Sequence, residues 1–264
     1  MTRRCWISIV VLCIFLGSIA TEGMAAVERE KLLTDPGVYA TFAIFKMEED
    51  WWKLDKAVRA STSESVKAVF AKHSDRVITD TYLVRGISEK ADFMVRLHAT
   101  DLIHNQNFLL DLMSSPLGKY LRNLQTYKGI TKKPTYAALF PEDLKAALKA
   151  PAEPGSKPYA IVIPVRKDAA WWNTEVEGRI QMLREHAEAS VPYLRTVKRK
   201  LYHTTGLDNL DFITYFETAH LEDFNNLVLA LQRVKEYRYT VHTGNPILVG
   251  TIRPLEDILE VLAR

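Results

Sequence analysis

The sequence repeats itself at an interval of 120 residues, and this repeat limits the possible folds more than any other feature. The matched features are a strand-like start, a tryptophan pair, a glycine, and an Asp-Phe pair that has slipped by one residue: Tyr39-Ala40 and Tyr159-Ala160, Trp51-Trp52 and Trp171-Trp172, Gly86 and Gly206, Asp92-Phe93 and Asp211-Phe212. A period this long predicts two copies of one small domain, since solenoid repeats are much shorter.

Each copy has the same predicted order of elements. Aromatic and β-branched runs predict strands, and charged segments with apolar residues at helical spacing predict helices. For the first copy the strands are 38–46, 76–85, 92–98 and 135–140, and the helices 50–72 and 101–113. For the second copy the strands are 159–165, 194–202, 211–216 and 247–252, and the helices 175–190 and 221–237, with a last helix from Pro254 to Leu262. The order β-α-β-β-α-β is ferredoxin-like, so we expect an α+β fold in which two such repeats form a dimeric α+β barrel within one chain.

Composition divides the chain into three segments. Residues 1–26 have a positive start at Arg3-Arg4, an apolar run and a small-residue end, which is typical of a secretory signal peptide. An uncleaved anchor is the alternative, although the apolar run is short for a membrane span. A proline-rich linker at 151–158 then separates a structural N-terminal domain, 27–150, from a C-terminal domain, 158–264. We therefore expect a periplasmic protein without stable membrane association after signal cleavage.

Charge and cysteine content exclude several functions. The formal net charge is +3, too small for a broad nucleic-acid footprint. Both cysteines, Cys5 and Cys13, lie in the signal segment. The mature chain would therefore have no disulfide, no thiolate nucleophile and no cysteine metal ligand.

Two residues of the second copy have no chemical counterpart in the first. His186 and Arg199 stand where the first copy has Val66 and Thr79. His186 lies near the apolar face of a predicted helix. Two interpretations stay open, a core histidine and the single protein ligand of a haem iron. Arg199 lies mid-strand; it is either a surface ion-pair partner or a buried cation that faces a pocket and binds an anion.

Several motifs together resemble the chlorite dismutases across the whole mature chain. These are 158–164, 167–172, Arg184-Glu185-His186, 197–203, Gly206-Leu207-Asp208, 211–218 and Val234-Lys235-Glu236. The length and the first domain are similar to the long, typically pentameric lineage. One departure is His242-Thr243, where many relatives have Arg-Trp before the Gly-x-Pro turn in a region near subunit contacts.

The resemblance implies haem b as cofactor and assigns residues to it. His186 matches the histidine that binds the iron, and Glu236 matches the carboxylate that bonds the other nitrogen of that histidine. Arg199 matches the distal catalytic arginine. Further cofactor-binding positions are the propionate and proximal residues Lys167, Trp171, Trp172 and Tyr136, and the pocket walls Leu201, Thr214 and Phe216.

The resemblance also implies an activity, the conversion of chlorite to chloride and molecular oxygen by a homopentamer. Arg199 would retain hypochlorite in the pocket through a charge-assisted hydrogen bond. Two alternatives stay open. A coproporphyrin decarboxylase of the same superfamily is disfavoured by the signal segment and by Arg199, which those relatives usually lack. A non-catalytic haem carrier or sensor is the other.

Overall fold

The computed structural model describes residues 28–244 and 247–264. The predicted signal segment, 1–26, lies outside the described residues, as do Asn245 and Pro246. The first half contains α1 (Arg29–Thr34), β1 (Tyr39–Met47), α2 (Glu49–Trp52), α3 (Lys56–His73), β2 (Ile78–Leu83), β3 (Phe93–Ala99), α4 (Leu102–Ser114), β4 (Leu121–Ile130) and α5 (Glu142–Leu148).

The second half repeats this order. It contains β5 (Tyr159–Lys167), α6 (Ala169–Asn173), α7 (Val176–Ser190), β6 (Val197–His203), β7 (Phe212–Thr218), α8 (Leu221–Leu231), β8 (Thr240–Thr243), β9 (Leu248–Ile252) and α9 (Leu255–Ala263). The fourth strand of this half is divided, because β8 and β9 pair with different ends of β5.

The strands close into one barrel, which confirms the predicted fold class. Within the first half the strand order is β4-β1-β3-β2, the ferredoxin-like order, and β7 lies between β5 and β6 in the second half. The halves join by β2 with β9 at two residue pairs and by β4 with β6 at a single pair, Ile130 with His203. Backbone pairing between the halves is therefore short on both sides.

Side-chain alternation gives the sheet two different faces. Inward-facing residues of both halves pack together inside the barrel, among them Phe42, Tyr82, Tyr202 and Tyr215. Outward-facing residues of the second half pack beneath α8 as a separate cluster that includes Ile161 and Phe216. Residues one position apart on a strand thus serve the barrel interior or the outer cleft.

The structure corrects three of the predicted elements. The expected strand 135–140 is a 3-10 turn (Thr135–Leu139), and the closing strand of the first half is β4, which the sequence analysis missed. The expected helix 50–72 is two helices, α2 and α3. The expected helix 221–237 ends at Leu231 and continues, after a break, as a 3-10 turn (Lys235–Tyr239).

The C-terminal helix crosses between the halves. Helix α9 belongs to the second half by sequence, yet Ile258, Leu259 and Leu262 are buried in the outer core of the first half. Trp51 donates its indole N–H to the carbonyl of Leu262 at 2.8 Å. Among the residues that the structure describes, no helix has the length and apolar character needed to cross a membrane.

Candidate active site

A hydrogen-bonded pair, His186 and Glu236, lies on the outer side of the second half, and we call the region that it shares with the outer face of β6 and β7 the cleft. His186 is on α7, and its Nδ1 lies 3.0 Å from Oε2 of Glu236. Glu236 is on the 3-10 turn after α8, and the break at the end of α8 directs it inward, where it is 9 % exposed. With Nδ1 bonded to the carboxylate, Nε2 is the nitrogen left for a metal.

Lys167 holds the other oxygen of the Glu236 carboxylate. This buried lysine ends β5, and its ammonium group bonds Oε1 of Glu236 and the hydroxyl of Thr240, the latter at 2.8 Å. Burial alone would raise the pKa of Glu236, but the bond from His186 and the charges of His186 and Lys167 lower it to about 2. Glu236 is therefore a carboxylate at neutral pH, bonded on both of its oxygens.

Strands β6 and β7 form the wall of the cleft. Arg199 pairs with Phe216 across the two strands, and Leu201 pairs with Thr214, so all four side chains share the outer face. Phe216 is 7 % exposed and Leu201 is 38 % exposed. The hydroxyl of Thr214 bonds the carbonyl of Ile163 at 3.1 Å, which leaves the wall mainly apolar.

Arg199 is accessible to solvent in this wall, but protein surrounds much of its guanidinium group. This partial desolvation lowers the pKa of Arg199, and Tyr136 opposes the shift. Because the ordinary arginine value lies so far above neutrality, Arg199 keeps its charge. The cleft therefore has a permanent cation on a wall that is otherwise apolar.

Tyr136 approaches the cleft from the first half of the sequence. It lies on the 3-10 turn found in place of the expected strand, half-buried against a cluster that includes Phe140 and Ala187. Burial raises the pKa of Tyr136, Arg199 lowers it, and Glu236 raises it further. Tyr136 is thus near both charged groups of the cleft.

The two tryptophans of the repeat have different environments. Trp171 is 4 % exposed, and Nζ of Lys167 lies 5.2 Å from the centroid of its ring. Trp172 is 43 % exposed and stacks on Phe212 with ring centroids 6.2 Å apart. The residues predicted from the sequence therefore lie in the second half, except Tyr136, which reaches the same region from the first half.

Two groups that hydrogen-bond Lys167 were not predicted from the sequence. Thr240 bonds its ammonium group, and the carboxylate of Asp211 accepts its backbone N–H at 2.8 Å. The repeat contained a signal for Asp211, because Asp92 accepts the backbone N–H of Met47 in the same way at 2.7 Å in the first half. Thr240 follows an irregular turn and had no such signal.

The matching region of the first half is filled by the chain itself. Val66, in the position of His186, is 2 % exposed and packs in the same cluster as Leu97 and the apolar face of α9. After the one-residue slip at the Asp-Phe pair, Leu97 corresponds to Phe216. One half therefore has an open cleft, and in the other half α9 packs over the equivalent positions.

A closed barrel of two ferredoxin-like halves, with a histidine–glutamate pair and an arginine in one open cleft, defines the class of protein. The family model described as chlorite dismutase matches residues 59–253. The chain belongs to the chlorite dismutase family.

Comparison with individual proteins agrees with this assignment. The chain is 42 % identical to the chlorite dismutase of Ideonella dechloratans over 239 residues, 90 % of this chain and 84 % of that protein. It is 51 % identical to the solved chlorite dismutase of Candidatus Nitrospira defluvii in complex with imidazole, with a TM-score of 0.87, covering 89 % of this chain and 99 % of that one. A coproheme decarboxylase of Mycolicibacterium smegmatis is more distant, 24 % identical over 207 residues, 77 % of this chain and 86 % of that protein.

Among the described residues, no group of three or more histidine, cysteine, aspartate and glutamate side chains is arranged to hold a metal ion. His186 is bonded to one acidic side chain, that of Glu236, on the side of Nδ1.

Proposed function

We propose that this chain is a haem b enzyme that converts chlorite to chloride and molecular oxygen. The observation that carries the proposal is the His186–Glu236 pair together with Arg199 on the outer face of β6, since Tyr136 lies near both the carboxylate and the guanidinium group. Membership of the chlorite dismutase family and 51 % identity to a solved member support it.

The cleft residues fit a haem. A flat, largely apolar group needs an apolar wall and a ligand for its iron, and Leu201, Phe216 and Nε2 of His186 would meet these needs. Trp171, Trp172 and Thr214 would complete the enclosure, and Lys167 and Tyr136 would lie near the propionates. When bound, the haem would supply an iron centre able to accept an oxygen atom from chlorite.

The proximal residues set the properties of the histidine ligand. Glu236 accepts a hydrogen bond from Nδ1–H of His186, which fixes the tautomer and makes Nε2 a stronger donor. Lys167 bonds the same carboxylate and draws part of its charge away. His186 is thereby oriented by a carboxylate that is itself bonded on both oxygens.

Arg199 would retain the anionic hypochlorite that oxygen transfer leaves behind. A charge-assisted hydrogen bond contributes about 1.5–3 kcal/mol, and more where water is excluded. The apolar wall offers few competing donors, so the guanidinium group would hold hypochlorite until its oxygen joins the transferred one. In this scheme the chain needs no nucleophile and no general base.

The proposal extends to compartment and assembly. Residues 1–26 would direct the chain to the periplasm and be removed there, and the mature chain would assemble as a homopentamer. The length and first domain, which are similar to the pentameric lineage, support the assembly.

Oxygen evolution tests the proposal directly. Haem-loaded protein mixed with chlorite should release one molecule of oxygen per chlorite, measured with an oxygen electrode. The same protein given coprohaem and peroxide should release no carbon dioxide. Decarboxylation without oxygen release would favour the decarboxylase, and binding of haem with neither activity would favour a carrier or sensor.

A further inference from the structure

A cluster of buried polar side chains crosses the barrel interior directly behind the cleft wall. It consists of Asp80 and Tyr82 on β2, Arg96 and His98 on β3, Tyr202 on β6, and Tyr215 and Glu217 on β7. His98 and Tyr202 are fully buried, Arg96 is 4 % exposed, and none of the seven belongs to the proposed catalytic machinery. We call this set the interior clasp.

Two hydrogen bonds within the clasp connect a residue of the first half to a residue of the second half. Nε2 of His98 lies 2.8 Å from the hydroxyl of Tyr202. The hydroxyls of Tyr82 and Tyr215 lie 3.0 Å apart, and Tyr215 donates in turn to Glu217 at 2.7 Å.

Arg96 is the centre of the clasp. It bonds Asp80 through two nitrogens, at 2.9 and 3.2 Å, and its guanidinium carbon lies 3.8 Å from the ring centroid of Tyr215. One of its nitrogens is also 3.7 Å from Glu217. A buried arginine thus spans from a first-half carboxylate to a second-half ring and carboxylate.

The clasp residues alternate with the cleft residues along β6 and β7. Tyr202 follows Leu201, and Tyr215 lies between Thr214 and Phe216. Because successive side chains of a strand point to opposite faces, each clasp residue holds backbone that carries a wall residue on its other side.

The backbone offers little other restraint between the halves near this wall. β6 meets β4 at one residue pair, and β2 meets β9 at two. Buried hydrogen bonds of fixed geometry can determine one arrangement where apolar packing would allow several. Within the described residues Nδ1 of His98 is buried without a partner, so this ring is not placed to satisfy both of its nitrogens.

We infer that His98 and Tyr82 of the first half are positioning residues for the cleft: through Tyr202 and Tyr215 they hold the β6–β7 wall, and so Arg199, at a fixed distance from the base of the cleft. This inference rests on the proposed function for its consequence in catalysis. It gives the first half a specific part in the reaction.

Hydrogen exchange gives the first test, and it requires neither a bound cofactor nor activity. Tyr202→Phe and His98→Leu in the full chain should speed amide exchange in Val197–His203 and Phe212–Thr218 by roughly three- to tenfold, the effect of one lost buried hydrogen bond. His98→Gln places an amide nitrogen or oxygen near the former position of Nε2, where it can bond Tyr202, and should restore slow exchange.

Two controls separate positioning from general loss of stability. Tyr127→Phe removes a hydroxyl from another buried barrel tyrosine, one that is not in the clasp. Phe45→Leu weakens the outer core of the first half, where Phe45 stacks on Phe93 with centroids 5.1 Å apart. Neither control should speed exchange in β6 and β7 selectively, even where it lowers the melting temperature.

Cyanide binding gives the second test, on the haem-loaded protein. Tyr202→Phe and His98→Leu should weaken cyanide binding several-fold at unchanged haem content, and His98→Gln should restore it. Unchanged exchange and unchanged affinity in both clasp variants, or equal changes in Phe45→Leu, would overturn the inference. If the chain takes up no haem, the proposed function fails, and hydrogen exchange still decides whether the clasp holds the wall.

Discussion

At the scale of single residues, the chemistry depends on a few substitutions between two copies of one pattern. His186 and Arg199 replace the valine and threonine of the first copy. Glu236 bonds His186, and Lys167 bonds the other oxygen of Glu236. His186, Glu236 and Lys167 lie on three different elements and are joined by side-chain bonds. Their effects should therefore separate when they are changed one at a time.

Arg199→Ala should retain haem and turn over chlorite, since His186 and the apolar wall are unchanged. Loss of one charge-assisted bond should raise escape of hypochlorite by roughly ten- to a hundredfold. Total oxygen released before bleaching measures this effect, and a hypochlorite trap should protect the variant more than the parent. Arg195→Ala, an exposed cation just before β6 that pairs with Glu153 at 3.6 Å, is the control. Equal oxygen yield in Arg199→Ala and the parent would refute the retention mechanism.

His186→Ala should lose most of the haem, because it removes the proposed ligand of the haem iron. The ratio of haem absorbance to protein absorbance measures the loss. His220→Ala, an exposed histidine of the same half, should keep full haem content. A His186 variant with full haem and an unchanged spectrum would show that another residue binds the iron.

At the scale of elements, α9 explains why one half has no open cleft. The prediction that 158–264 forms the second domain came from composition, whereas the helix at its end packs on the first half. Arg59 extends this attachment, since it donates to the carbonyls of Ala263 and Arg264 at 3.3 and 2.7 Å. Packing of α9 thus ties the end of the chain to its beginning.

Leu259→Ala should lower the free energy of unfolding by about 2–5 kcal/mol, the usual loss for a fully buried leucine. Urea unfolding followed by circular dichroism measures this change. Leu229→Ala, at an exposed leucine of α8, should change stability by about 0.5 kcal/mol or less. A small effect at Leu259 would mean that α9 contributes little to the first-half core.

At the scale of the whole molecule, the interior clasp should make the barrel sensitive to acid. Burial, and then the charge of Arg96, hold the pKa of His98 well below its ordinary value. The unfolded chain binds a proton at this site near pH 6.5, and the folded chain does not. Stability from neutral His98 is therefore complete above about pH 6.5 and decreases below it by up to about 1.4 kcal/mol per pH unit.

His98→Gln should remove this pH dependence while keeping the bond to Tyr202. Between pH 7.5 and 5.5 the parent should lose about 1 kcal/mol more of unfolding free energy than the variant. Urea titrations at the two pH values measure the difference. His203 also has a lowered pKa from burial, but it is present in both proteins and cancels. Equal losses in parent and variant would contradict the assignment to His98.

The compartment prediction also belongs to the whole molecule. If residues 1–26 are a cleaved signal, mass spectrometry of protein from its native cells should find an N-terminus near Ala26 or Val27. The soluble periplasmic fraction should contain it. An intact Met1 in the membrane fraction would indicate the uncleaved anchor instead.

Sequence by itself determined the duplication and the βαββαβ order of each half, and it supplied the predicted residues of the cleft. These were accessible because a repeat interval, strand alternation and helical spacing are local patterns, and because the family motifs are contiguous. The role of Asp211 could have been predicted for the same reason, since Asp92 is its counterpart in the first copy. The strand 135–140 was wrong because a short apolar run does not distinguish a strand from a 3-10 turn.

Only the tertiary structure decided how the halves are joined and which of them is open. Contacts such as Thr240 with Lys167, His98 with Tyr202, and Trp51 with Leu262 connect residues 73, 104 and 211 positions apart. No local pattern encodes them, because each depends on where the closed barrel places two distant segments. Short motifs therefore predict the candidate functional residues of this protein, and long-range packing sets the positions of those residues relative to one another.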